Sequence, residues 1–153
     1  MRTAFGAAAI IGLVLSAGLV LAQDKAKPLP LSTFVGLFTD PSVTSAQKEI
    51  GLPEGTWYEG TITVSDVEYY KKQGTGEAFA EIKDVNHAGG CYLLLFRVQD
   101  TAKALELKVG DKAVLRGRLS NMGMHTTKYV MVCETRFALF KDCEILEIVK
   151  AGK

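Results

Sequence analysis

The stretch "LKVGDKAVLRGRL", residues 107–119, decides how the chain folds. Gly110-Asp111 stops whatever precedes it, and strict alternation then begins. Ala113, Leu115, Gly117 and Leu119 share one face, while Lys112, Arg116, Arg118 and Ser120 share the other, the period of a half-buried strand. Gly117 sits on the apolar face. A glycine weakens a strand unless a bend or a close backbone approach requires it. Gly60 repeats the situation in "WYEGTITVSDVEYY", residues 57–70, where Tyr58, Gly60, Ile62 and Val64 alternate with Glu59, Thr61, Thr63 and Ser65. Two inward glycines on the two longest strands favour a small, strongly coiled barrel over a flat sheet.

Working outward, the apolar phase flips after Ser65-Asp66 to Val67 and Tyr69, as a bulge or sharp coil produces. "YKKQGTGE" reads as a turn, "AFAEIKDV" as a second strand and "NHAGG" as a hairpin loop. "CYLLLFRV", residues 91–98, is a continuous apolar run suited to a central strand. In "QDTAKALELKVGD", Asp100 or Thr101 caps a short helix over Ala102–Leu107 that Gly110 ends. "TKYVMVC" and "FALFKDCEILEIV" supply the closing strands, with an extra ribbon near 121–138. The expectation is an all-β, five-stranded closed barrel of the OB type over 56–149, with a short helix between strands three and four.

Ahead of it, residues 1–22 read as a signal peptide: Arg2, an uncharged run, and Val20-Leu21-Ala22 before Gln23. Residues 23–55 form a lead-in. "STFVGLF" suggests a helical turn, and Asp40-Pro41 with Gly51 beyond bounds a helix over 41–50 that docks through Val43, Ala46 and Ile50. Cleavage leaves no membrane span and gives a periplasmic or secreted address; an uncleaved anchor is the competing reading, since the uncharged run comes close to spanning a bilayer. Without Arg2, 17 Lys and Arg face 17 Asp and Glu, so the exported chain lacks the basic surplus that marks a nucleic-acid binder. In an oxidising compartment two of Cys91, Cys133 and Cys143 pair, and all three pairings are open.

With "YEGTITVSDV", "LKVGDKAVLRGRL" and "KDCEILEI" in view, the domain resembles the small exported OB-fold proteins of the tRNA_anti-like type over roughly 56–149. That resemblance implies a fold, not a function. OB barrels bind on strands two and three, a face that draws on Tyr69, Tyr70, Lys72, Tyr92 and Arg97, with Lys71, Phe79 and Phe96 nearby.

Other clusters carry less chemistry. Met122, Met124 and His125 in "NMGMHTTKYVMVC" are soft-to-borderline donors that suit Cu(I), with core packing as the plain alternative. His87 and Cys91 stand four apart, but a glycine hairpin holds a nucleophile–base pair poorly. The sequence has no phosphate loop, zinc spacing or serine elbow. The reading is a non-catalytic binding module, without cofactor, for an envelope protein, a glycan or a small ligand. Soft-metal binding and nucleic-acid binding are the alternatives.

Overall fold

The computed structural model describes residues 27–87, 91–125 and 135–152. The signal peptide expected over 1–22 and the strand expected at 127–133 lie outside the described residues. Element order is β1 (Leu29–Pro30), α1 (Leu31–Thr39), α2 (Ser45–Gly51), β2 (Trp57–Thr63), β3 (Asp66–Lys71), β4 (Ala78–His87), β5 (Tyr92–Val98), α3 (Thr101–Leu105), β6 (Lys112–His125) and β7 (Thr135–Val149).

The seven strands among the described residues belong to one sheet, ordered β1-β2-β6-β7-β5-β4-β3. Among these strands β1–β2 and β5–β7 run parallel and the other pairs antiparallel. The all-β class stands; the five-stranded closed barrel is corrected to seven strands whose hydrogen-bonded order ends at β1 and β3. The expected first strand breaks at Val64-Ser65 into two pieces with different partners, β6 for the first and β4 for the second. This is the phase flip seen in the sequence. In a flat sheet five strand spacings, about 24 Å, would separate β2 from β3. The three residue steps from Thr63 to Asp66 reach about 10 Å at most. The sheet must therefore curl until its two flanks nearly meet.

The 107–119 stretch fastens that crossing. Gly110, at φ +91°, turns the chain. Its N–H donates to the Val64 carbonyl, and the Val64 N–H donates to the Asp111 carbonyl, both at 2.8 Å. Ala104 of α3 and Leu107 just beyond it are buried in the same core. A short helix does lie between β5 and β6, but it spans Thr101–Leu105 rather than the expected Ala102–Leu107.

The two inward glycines answer to close approach. A Cβ on Gly60 would stand 2.6 Å from the Leu31 Cβ of α1. One on Gly117 would stand 2.6 Å from Cys143 Sγ and 3.2 Å from Phe140 Cβ. Opposite Gly117 the β6–β7 register passes from Arg116↔Glu144 to Arg118↔Lys141, so two β7 residues oppose one. Asp142, with φ +53°, carries this bulge. The bulge resets the phase so that Phe140 and Cys143, three apart, are both buried.

The lead-in is more helical than its sequence suggests. Phe34 of α1 is fully buried, 5.2 Å from Tyr58 and 5.1 Å from Phe140 between ring centroids. Burying such a ring contributes about 1.5–3 kcal/mol. That tertiary gain holds a helix which Gly36 and β-branched Thr33, Val35 and Thr39 do not favour locally. The next helix starts at Ser45 rather than Pro41, because Thr44 and Gln47 form a reciprocal capping box. Asp40 instead closes a turn, accepting from the Ser42 N–H at 2.8 Å. The docking side also differs from expectation: Ile50 is 82% exposed, and Lys48 is the buried residue. No helix among the described residues is long and apolar enough to cross a membrane.

Candidate functional site

Register fixes which side chains share the outer face of β3, β4 and β5. Tyr92, Leu94, Phe96 and Val98 are buried, so Leu93, Leu95 and Arg97 alternate outward. Arg97 pairs with Glu81 and Leu95 with Lys83. On the far side Asp66 pairs with Lys83, Glu68 with Glu81 and Tyr70 with Phe79. Toward β7, Leu93 pairs with Phe137 and Leu95 with Leu139.

One half of this face is a mixed aromatic and ionic cluster. The Tyr70 and Phe79 rings stack with centroids 5.1 Å apart. The Arg97 guanidinium carbon lies 5.0 Å from the Phe79 centroid, a cation–π geometry. Arg97 Nε also donates to Glu81 Oε2 at 3.0 Å, and Glu81 is buried beneath it. Lys83 Nζ stands 2.6 Å from Glu68 Oε1 and 3.6 Å from Asp66 Oδ2. The Tyr70 hydroxyl donates to Glu68 as well. That bond, ahead of burial, pushes the Tyr70 phenol up to about 12. Hydrogen bonds from Lys83 first and Tyr70 second hold the Glu68 carboxyl below its usual range. Burial works to lower the Lys83 ammonium, but Glu68 leads the carboxylates that leave it raised overall.

The other half is apolar. Leu93, Leu95, Phe137 and Leu139 form a half-buried block across β5 and β7, and Val85 on β4 is exposed nearby. The Phe137 ring lies over Gly123, with atoms 2.8 and 2.9 Å from where a Cβ would stand. The face therefore carries three carboxylates, two cations already paired with them, a stacked aromatic pair and a leucine row.

The site residues expected from sequence divide accordingly. Tyr70 and Arg97 come together through Phe79. Tyr69 alternates to the opposite side, opposite buried Ala80, although it is itself 50% exposed. Lys72 stands in the hairpin turn, 3.9 Å from Glu77. Tyr92 is in the core, its ring 5.3 Å from Phe38. Phe96 is in the core too, stacked on Phe140 at 4.7 Å. Sequence reasoning missed Glu68, Glu81 and Lys83, and it missed that Leu93 and Leu95 face outward. The signal lay in "CYLLLFRV": a strand without polar alternation is covered on both faces or offers an apolar one.

Two further clusters resolve differently. Met122 and Met124 line one cavity, but Lys48 and Arg136 line it with them, and positive charge there opposes a metal cation. The side chain of His125 lies outside the described residues. Cys91 is held in a disulfide and offers no thiolate to His87, whose Nε2 lies 3.2 Å from Asp84 Oδ2. Cys143 is free and buried, so the two pairings that include it are excluded.

No family model matches the sequence, so the tRNA_anti-like resemblance gains no support from that comparison. No curated protein matches it either. The fold is similar to the crystal structure of a protein from Klebsiella pneumoniae subsp. pneumoniae named "putative nucleic acid-binding lipoprotein". The likeness has a TM-score of 0.51 at 13% identity, and it covers 82% of this chain and 96% of that one. At that identity it speaks to the fold alone.

Proposed function

We propose that this chain is a non-catalytic, OB-type binding module of the cell envelope, and that its outer β3-β4-β5 face meets a protein partner. The OB assignment is supported by the curled order β2-β6-β7-β5-β4-β3, by the parallel β5–β7 pair and by α3 between β5 and β6. The tRNA_anti-like type stays within this proposal. The envelope address follows from the export-type first 22 residues. That the Klebsiella protein is called a lipoprotein agrees with it.

One observation carries the choice of partner. Both cations on the face are committed to carboxylates, beside a half-buried leucine row. A polyanion would have to compete with Glu68, Glu81 and Asp66 for Lys83 and Arg97, and nucleic-acid affinity grows with the phosphates a protein neutralises. A protein partner instead covers leucine and aromatic surface and leaves the ion pairs at the rim.

Amide-shift mapping with protein-depleted, nuclease-treated and untreated envelope extracts tests this. The expected result is perturbation at Tyr70, Leu95, Arg97 and Leu139 that disappears with protein depletion and survives nuclease. Loss with nuclease, or binding to single-stranded DNA that falls steeply with salt, would overturn it in favour of nucleic acid. Shifts confined to the α3 end would show that the face is wrong.

A further inference from the structure

On the inner face, β5, β7 and β6 run in rungs: Phe96–Phe140–Leu119, then Leu94–Ala138–Met122, then Tyr92–Arg136–Met124. The first rung is wholly apolar and buried. The outermost, at the mouth, contains an arginine at an inward-phased position. Across from it α2 contributes Lys48, only 4% exposed although the rest of that helix faces solvent. Lys48 Nζ donates to the Phe38 carbonyl at 2.6 Å and lies 5.4 Å from the Tyr92 ring centroid. One of its three donors is thereby used.

Neither cation is ion-paired with a carboxylate among the described residues. Between them lies a cavity of about 180 Å³ walled by Phe38, Met122, Gly123 and Met124. Among the described residues Ser45 and Glu49 also line it, and Glu49 is exposed at the rim. Burial first, and the Arg136 charge second, depress the Lys48 pKa, and the Asp40 carboxylate offsets this only in part. Two like charges are thus held beside one apolar hollow, an unfavourable arrangement that an anion would relieve.

We infer that this mouth is a binding site for a small organic anion, a carboxylate carrying a short apolar chain. Its head would sit between Lys48 and Arg136 and its tail against Phe38, Met122 and Met124. Charge-assisted hydrogen bonds supply the head's affinity, and apolar burial supplies the tail's. A cavity of this size matches a short chain better than drug-sized ligands, whose pockets run to about 300 Å³ and more. The site is separate from the outer face and does not depend on the protein-partner reading.

Hexanoate tests it, with acetate as the head without a tail and 1-hexanol as the tail without a charge. Titrating the isotope-labelled protein should give saturable shifts at the Met122, Gly123 and Met124 amides, with hexanoate dissociating below about 1 mM. Acetate and hexanol should each bind at least tenfold more weakly. Arg136→Gln should weaken hexanoate at least tenfold. Lys48→Arg keeps the charge and should retain it, guarding against a folding defect in Lys48→Met. No saturable shift with hexanoate overturns the inference, as does equal binding of acetate or hexanol. Undiminished binding by a folded Arg136→Gln protein also overturns it.

Discussion

The Val64 amide donates to the carbonyl of Asp111 at 2.8 Å, tying the break between β2 and β3 to the turn that starts β6. The Asp111 side chain makes that turn rigid. Its carboxylate accepts from the Ala151 and Lys108 amides at 2.9 Å each and faces Lys150 Nζ at 3.1 Å. Those bonds, the Ala151 amide leading and Lys108 next, draw its pKa from 3.8 down to about 2.

A depressed carboxylate contributes stability that is complete above its unfolded pKa and is lost as pH falls through its folded one. Asp111→Ala should therefore lower Tm by several degrees at pH 7. The gap between variant and wild type should narrow between about pH 4 and pH 2. Thermal unfolding of both proteins across that range checks this; a gap independent of pH would show that Asp111 acts through shape alone.

At Gly117 the prediction concerns packing. An added methyl meets Cys143 Sγ at 2.6 Å and Phe140 Cβ at 3.2 Å, both in a buried layer that cannot simply swing aside. Gly117→Ala should cost about 1–3 kcal/mol in urea unfolding, the range for overpacked cores. Cys143→Ala removes the nearer obstacle and should recover part of that loss in the double variant. Strict additivity would mean that the two atoms do not meet.

Much of this architecture was legible beforehand for a physical reason. The alternation in 57–64 and 113–119, and the flip between them, record which side of each strand faces the core, and that is what the sheet obeys. The N-terminal helices were harder. Phe34 and Phe38 hold α1 through contacts with Tyr58, Phe140 and Tyr92, distant in sequence, and local propensity does not contain them. Helix α2 was misread because an apolar stripe was expected to dock, whereas Lys48 inserts beneath its neighbours. On the binding face, residue type suggested tyrosine and arginine. Only cross-strand register could show that Tyr69 and Tyr70 part company, that Tyr92 lies within, and that Arg97 is tied to Glu81.

Cys143 should be chemically silent in the folded protein. Burial drives its thiol well above the usual range, and the thiolate is the reactive form. Alkylation at pH 8 should add nothing to the native chain and one label after unfolding. Three labels should appear only when unfolding is combined with reduction, since the chain has three cysteines. Intact-mass spectrometry reads all three states. A label on the native protein would place Cys143 within reach of solvent.

Arg97 looks like a ligand-binding residue, yet its geometry makes it a counter-ion first. Glu81 is buried, and Arg97 Nε supplies its partner at 3.0 Å. Arg97→Ala leaves that carboxylate desolvated without a donor and should destabilise the fold by about 1–3 kcal/mol. Glu81→Gln should cost less, because a neutral amide needs less compensation. The double variant Arg97→Ala with Glu81→Ala should be more stable than Arg97→Ala alone, a coupling that urea unfolding of the four proteins measures. If Arg97→Ala were neutral, the guanidinium would be free for a ligand and the case against a polyanion would weaken. With the coupling present, Tyr70→Ala is the better probe of recognition: that ring is 40% exposed, and its loss removes contact surface while leaving the buried ion pair in place.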